Sequence, residues 1–542
     1  MSARRILIVN LTRFGDLLQT APAVATLRVH HPEAEIAILA ERNFADVCDA
    51  IPGLDRVIRV DLDRLGGLML KGGAALLDGY RYVEELLEEL RGQTYDMALN
   101  FSSSRMTAVF MGLLAIPDVR GWSMTDDGLR VIHHPWARLF ASMCLNRRFA
   151  CFNLVDYYRA MAGGGAGRQQ LRYDVTEAAR AAVAPLLAHV PAGRRVVAFQ
   201  LGASREIRQW PAEAFVSLGR TLAHNGYEVA LIGGRGDCGL AAAVAREIGD
   251  GVTDLCGKTK VAELGALLDR VDALVTGDTG PMHMAVAVGT PVIGLFFGPA
   301  SPFDTGPYSE DNVLLHATAP CAPCDHNVTC LQPFCRTEID AETVAAAVVA
   351  RLANDWTALD RLATVTRTAR LYRTGFDGDG RYECSVLGQR PPRPDDEVRR
   401  AYRDMWCVLL DKARVPSGVA TSVDRAPFAA LERLAHEGET LASELRTAVK
   451  RRAPIEVIER FGREVEVLDR AIIEQGGMHP DVAVLTQMFK FGKESLEGND
   501  IALLAELTRR LYHDLARGAE TMTSLLGGTT YAEREDHAHL HQ

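Results

Sequence analysis

Short apolar runs rich in β-branched residues alternate with helical patterns along the first two-thirds of this chain, and the alternation occurs twice. Between residue 4 and about 165 the runs Arg5 to Val9, Glu35 to Leu39, Arg56 to Val60 and Tyr95 to Asn100 read as strands. It restarts at Arg195 with Val196 to Leu201, Glu228 to Ile232, Ala273 to Thr276 and Pro291 to Phe297. Near-continuous apolar strands separated by helices belong to parallel sheets covered on both faces. The glycines between Gly163 and Gly167 and the turn Pro191-Ala-Gly193 mark the junction between the two repeats. The pattern predicts a two-domain α/β protein with a cleft between its halves.

After about residue 355 the predicted strands stop. Phe428, Leu431, Leu434, Leu441 and Leu445 keep helical spacing, as do Ile458, Phe461, Val465, Leu468 and Ile472, and then Leu504, Leu507, Leu511 and Leu515. Each stripe is one apolar face among charges, the pattern of helices packing on one another. The segment from Thr374 to Asp396, rich in Gly, Pro and charge, reads as a link. No catalytic constellation stands out beyond it, so the region reads as an oligomerisation or partner module. A chain ended near residue 355 is expected to keep the chemistry while losing solubility, its oligomeric state or a partner.

A length of 542 residues accommodates about three domains, and a net charge of −10 argues against a nucleic-acid partner. The opening segment has too short an apolar run for a secretory signal, and no stretch reads as a transmembrane span. Eleven scattered cysteines fit a reducing compartment. The expectation is a cytoplasmic protein.

Two signatures carry the chemistry. Asn10-Leu-Thr-Arg-Phe-Gly-Asp16 follows the first strand, and Gly277-Asp-Thr-Gly-Pro-Met-His283 follows the strand at Ala273. In both, a Gly-bearing turn opens a helix at the carboxyl end of a strand, where open α/β sheets bind ligands. The first offers a carboxylate, Asp16, and a cation, Arg13. The second offers backbone N–H groups of Thr279 and Gly280 at a helix start, a phosphate-binding arrangement. A reactive group on one half and a phosphate cradle on the other suggest group transfer. On local pattern alone Asp16 also reads as a helix cap, and His283 as a core histidine.

From residue 4 to about 350 the chain resembles glycosyltransferase family 9, the ADP-heptose:lipopolysaccharide heptosyltransferases and their relatives. The resemblance rests on Arg5 to Leu18, Gln209-Trp-Pro211, Leu231-Ile-Gly-Gly234, Gly277 to His283 and Gly289-Thr-Pro291. It implies the GT-B architecture, two Rossmann-like domains facing a cleft, here followed by an all-α C-terminal extension. The implied layout is an acceptor domain at 1–175, a nucleotide-sugar donor domain at 190–352 and a helical extension at 395–527. It also implies transfer with no required metal or cofactor. Asp16 takes the family's position of general base. Asp278, Thr279, Gly280 and His283 take that of the donor site. Arg208 stands where relatives often carry lysine and is placed to neutralise the leaving diphosphate, with Arg205 nearby. Asp237 stands where relatives often carry a glutamate for the nucleotide ribose. A helix start favours an ionised carboxylate, so Asp16 is expected to be ready to accept a proton but not especially basic.

Three further groups are candidates. Arg13, Arg105 and Arg120, with Arg130, Arg138, His133 and His134, read either as an acceptor site for an anionic glycan or as separate surface charges. Cys321, Cys324, Cys330 and Cys335, with His326 among them, fit a structural zinc site, an iron–sulfur cluster or reduced thiols. His537, His539 and His541 read as a terminal tail. The sequence reading is thus an inverting transferase moving heptose from ADP-heptose to a lipopolysaccharide core or related glycan. The expected acceptor is a lipid-linked or soluble glycan, and the expected location is the cytoplasm, free or in peripheral contact with the cytoplasmic face of the inner membrane. Transfer from another nucleotide sugar and a non-catalytic glycan- or nucleotide-binding scaffold are the alternatives.

Overall fold

The computed structural model describes residues 3–528 apart from 166, 326–327, 413–417 and 419. His326 and the terminal His537, His539 and His541 lie outside the described residues. The chain forms two compact units. One comprises the chain to Gly128 together with Phe152–Arg390, and the other comprises Leu129–Cys151 together with the chain from Pro391.

The strands in chain order begin with β1 (Arg5–Asn10), β2 (Glu35–Glu41), β3 (Arg56–Val60), β4 (Met97–Asn100), β5 (Asp118–Met124) and β6 (Arg130–His133), the last in the second unit. The second half of the first unit carries β7 (Val196–Gln200), β8 (Glu228–Ile232), β9 (Val252–Asp254), β10 (Ala273–Gly277), β11 (Val292–Phe296), β12 (Val313–Ala317), β13 (Ala369–Phe376) and β14 (Tyr382–Val386). In the first sheet the order β3-β2-β1-β4-β5 is parallel throughout, with Val9 facing Leu39 on one side and Asn100 on the other. The second sheet repeats that order as β9-β8-β7-β10-β11-β12, again parallel, and then adds β13 and β14 antiparallel at its edge. In both sheets the strand order reverses beside the first strand. A crevice opens at the carboxyl ends of the strands at such a switch point. Asn10 to Asp16 follow β1, and Gly202 to Arg208 and Asp278 follow β7 and β10, so both signatures sit at switch points.

The interiors explain why these runs became strands. Ile6 to Val9, Val197 to Phe199 and Ala273 to Val275 are wholly buried, as apolar strands covered on both faces must be. Strands continue past residue 355, contrary to the sequence expectation. Arg370 and Arg373 interrupt the apolar run of β13 and conceal it. The first pairs beside His316, while the second bonds through Nε to Asp311.

The second unit is helical. Helices Ala426–Lys450, Ile455–Met478, Ala483–Glu494 and Ile501–Gly527 pack together, with helix Pro135–Leu145 against Ala483–Glu494. The last helix is rotated from the expected leucine stripe. Its buried face is Ala505, Thr508, Tyr512, Leu515, Ala516 and Ala519, while Leu504, Leu507 and Leu511 flank it. Small residues on the facing helix allow this. A Cβ on Gly438 would stand 2.3 Å from the Tyr512 ring, so the aromatic ring lies flat against the backbone there.

This arrangement bears on truncation near residue 355. Ending the chain near residue 355 removes β13 and β14, leaves the β12 edge bare, and exposes Trp136, Leu139 and Met143, which are buried in the second unit. Unpaired edges and exposed cores promote association. The truncated chain should therefore aggregate, seen as a void-volume species by size exclusion. A monodisperse truncation with a cooperative melt would contradict this packing.

Candidate active site

Asp16 sits in the first turn of helix Phe14–Leu18, directly after β1. Arg13, with extended backbone, is the N-cap, and no side chain caps this helix. Asp16 is thus not a cap. The residue is only partly exposed, and surrounding protein removes enough solvent from its carboxyl to push its pKa up to about 6. Burial is the largest cause and the nearby Asp278 charge the second. The Arg13 backbone N–H, the Thr12 hydroxyl and Arg208 oppose them. The expectation of an ordinary carboxylate is overturned, because loss of solvation outweighs the helix start.

The second half meets this helix with its own helix start. Thr279 is the N-cap of helix Gly280–Val288, and no side chain caps it. The Thr279 hydroxyl instead lies 2.9 Å from that of Thr276. Arg208 Nη2 donates to the Asp278 carboxylate and to the Asp278 carbonyl, each at 2.7 Å, and the Thr305 hydroxyl donates to the same carboxylate at 3.0 Å. His283 is 3% exposed, and its Nδ1 has no hydrogen-bond partner among the described residues. Burial, with help from Arg208 and against Asp278, pushes its pKa down to about 4. The imidazole is therefore neutral near pH 7.

The two signatures touch through their glycines. A Cβ on Gly15 would stand 2.9 Å from Gly280 Cα and 3.2 Å from His283 Cδ2, and a Cβ on Gly280 would stand 2.3 Å from the Phe14 ring. Each glycine is needed because the other helix start occupies the space a side chain would take. Gly280→Ala should therefore displace Phe14 and lower activity, and Phe14→Leu added to it should restore part of the loss. Steady-state rates on the single and double variants check this. Equal losses in both would mean that the ring contact does not set the junction.

One cavity of about 720 Å³ is lined by Arg13, Asp16, Arg208, Asp278 and His283. A second of about 420 Å³ shares these five residues and adds Phe14, Gly15, Asp237, Thr279 and Gly280. Asp237 accepts a hydrogen bond from the Gly234 N–H at 2.8 Å, and its carboxylate fills the space beside Gly202. The structure thus brings Asp16, Arg208, Asp237, Asp278, Thr279, Gly280, His283 and Arg13 together around one continuous opening.

Other candidates lie elsewhere. Arg105 is exposed at the start of helix Arg105–Leu114, and neither it nor Arg120 lines these cavities. Arg120 pairs with Asp118 at 2.9 Å and donates to the Met161 carbonyl at 2.7 Å. Arg130, His133, His134 and Arg138 belong to the second unit, where His133 is 4.0 Å from Glu497. Trp210 is core: its Nε1 donates to the Ile339 carbonyl at 3.0 Å. Cys321, Cys324, Cys330 and Cys335 are free thiols, and burial pushes Cys324 up to about 11. Among the described residues no group of three or more His, Cys, Asp or Glu is arranged to hold a metal ion, so the zinc expectation finds no support there. The cavity also has a wall that the sequence did not single out, formed by Glu41, Asn43, Phe44, Leu62 and Asp63. Asn43 donates from its backbone N–H to Glu41 at 2.8 Å and from its side chain to Asp63 at 2.9 Å.

Two Rossmann-like halves that face each other across such a cleft make the GT-B architecture. The crystal structure of the glycosyl transferase family 9 protein from Veillonella parvula DSM 2008 shares it, with a TM-score of 0.52 at 19% identity over 65% of this chain and 98% of that one. Residues 83–334 match the family model of glycosyltransferase family 9 (heptosyltransferase). Lipopolysaccharide heptosyltransferase 3 of Escherichia coli (strain K12) is 27% identical over 305 residues, 52% of this chain and 79% of that protein. Lipopolysaccharide heptosyltransferase 2 of Salmonella typhimurium (strain LT2) is 25% identical over 336 residues, 56% of this chain and 86% of that protein. The helices from residue 391 onward lie beyond the family match. Among the described residues no helix is long and apolar enough to cross a membrane.

Proposed function

We propose that this chain is an inverting heptosyltransferase that takes heptose from ADP-heptose and delivers it to a hydroxyl of a lipopolysaccharide-type glycan. Its relatives are named for heptose transfer to lipopolysaccharide, and the adenine nucleotide follows from the family resemblance. The observation that carries the reading is the meeting, in one cavity, of a carboxylate with pKa raised to about 6 and a cation beside an uncapped helix start. A general base works best with a pKa near the operating pH. Asp16 accepts the proton of the acceptor hydroxyl as its oxygen bonds to the anomeric carbon. The bond from that carbon to the diphosphate oxygen breaks in the same step, and ADP leaves with the electron pair. A single in-line displacement inverts the anomeric centre.

Arg208 and the backbone N–H groups at Thr279 and Gly280 take up the charge on the departing diphosphate. Neutral His283 supplies a hydrogen bond without adding charge, and Asp237 lies on the nucleotide side. Arg13 and the wall of Glu41, Asn43 and Asp63 are on the acceptor side. Incubating the protein with ADP-, UDP-, GDP- and CMP-sugars and a core glycan tests the reading. ADP release that depends on ADP-heptose and on the glycan is the expected result. Release from another nucleotide sugar alone would replace the donor, and release from none would favour a binding scaffold.

A further inference from the structure

Helices Leu62–Lys71 and Ala74–Arg91 form a hairpin whose far end has no place in the core. Its base is fixed, because Leu62, Tyr82 and Val83 pack on the first half's core and the Tyr82 hydroxyl accepts from the Asp61 N–H at 2.8 Å. The two arms hold each other through Gly79, where a Cβ would stand 3.6 Å from Leu68 and 3.8 Å from Leu65. The turn is Gly72-Gly73, both at positive φ (63° and 55°). Helix Leu62–Lys71 has no buried residue. At the tip Met69 is 59% exposed, Leu70 91%, Leu77 61% and Tyr80 65%, with Leu76 at 43% beside them. No other stretch of the described chain groups as many exposed large apolar side chains.

We propose that this tip dips into the lipid surface that carries the acceptor. The proposal rests on the reading of the acceptor as lipid-linked. Two observations select lipid over a second copy of the chain. Five side chains at the end of one hairpin make a patch of roughly a few hundred Å², below the ~800 Å² each partner contributes to a standard protein interface. The hairpin also springs from the cavity itself, since Leu62 and Asp63 line it. At a helical rise of 1.5 Å per residue, Leu70 lies about 12 Å along the helix from Leu62. A glycan whose lipid end lies at the tip therefore needs to span only a few sugars to reach Asp16. Leucine, methionine and tyrosine beside Lys71 suit the boundary between headgroups and acyl chains. The chain as a whole carries −10, so an anionic leaflet repels it, and apolar insertion must supply the attraction.

The test is co-sedimentation of the full chain with vesicles of phosphatidylethanolamine and phosphatidylglycerol. The wild type should bind, and binding should persist at high salt because it is apolar. The double variant Leu70→Glu/Leu77→Glu should bind about tenfold or more weakly, with an unchanged melting temperature since both side chains are exposed. Leu70→Trp should bind more tightly than wild type, which guards against a loss caused by misfolding. ADP release onto a delipidated acceptor should be equal in all three proteins, while transfer to a vesicle-borne acceptor should follow vesicle binding. No release onto either acceptor in any of them would defeat the functional reading while leaving vesicle binding to be judged by itself. Wild-type protein that stays in the supernatant, or a double variant that sediments equally, would overturn the proposal. So would a dimer in the absence of vesicles that the double variant abolishes, which would make the tip a contact between copies.

Discussion

Asp16→Asn should lose about 10²-fold or more of kcat, within the range assigned to a positioned general base. The amide keeps the size of the side chain but cannot take a proton. Donor affinity should change little, because the diphosphate contacts lie on the second half. The same variant should be more stable than wild type at neutral pH, which separates loss of chemistry from loss of fold. In the folded chain Asp16 titrates at about 6, above its ordinary value of 3.8. The fold therefore binds that proton more tightly than the unfolded chain does. Its favourable contribution is full below pH 4 and is lost as the pH rises through 6. Removing the carboxylate abolishes that loss, so the melting temperature of Asp16→Asn should exceed that of wild type at pH 7 to 8, with the gap closing below pH 4. Near-normal turnover in Asp16→Asn would reject Asp16 as the base.

Arg208→Ala should cost about 10²- to 10³-fold in kcat, the size of effect seen when a preorganised group opposite developing charge is removed. It should also raise the donor KM. The Nη2 of Arg208 holds both the carboxylate and the carbonyl of Asp278, so truncation loosens the loop leading to Thr279 and Gly280. Lysine at this position keeps the charge but lacks the planar fork. Arg208→Lys should therefore recover a large part of kcat and less of the donor affinity. Steady-state kinetics with donor and acceptor varied separately check both claims. An alanine variant with an unchanged donor KM and turnover would place the diphosphate elsewhere.

Both halves of the site were legible where chemistry and topology coincide. Asp16 and the Asp278 to His283 segment follow the strands at which their sheets reverse order, and glycine at 15 and 280 signals close approach. The raised pKa of Asp16 was not legible, because it arises from burial by the second half and from Asp278, 262 positions away in the chain. The wall of Glu41, Asn43 and Asp63 carries no motif. Glu41 ends β2, Asn43 lies just after it and Asp63 lies after β3, and only the rule that ligands bind beyond the carboxyl ends of strands would have pointed to them. Of the acceptor arginines, Arg13 lines the cavity, whereas Arg120 is engaged by Asp118 and the Met161 carbonyl. The assignment of residues 129–151 to the helical unit has no local signature, because its partners are remote in the chain: Arg399, 251 residues onward, donates to the Arg148 carbonyl at 3.3 Å, and Ile132 donates to Ser495, 363 residues onward, at 2.9 Å. The rotation of the last helix escaped for a related reason. Leucines mark a stripe, but alanines and Tyr512 facing Gly438 form the tighter seam.

The claim that Asp16 is a base tuned by its neighbours is tested most directly by the pH dependence of kcat/KM in wild type and Asp278→Asn. In wild type the rate should rise with pH through about 6 and then level off, as Asp16 loses its proton. Removing the Asp278 charge takes away a cause that raises the Asp16 pKa, so the rising limb of Asp278→Asn should move to lower pH whatever happens to its plateau. A limb at the same pH in both proteins, or no limb near 6 in wild type, would contradict the account.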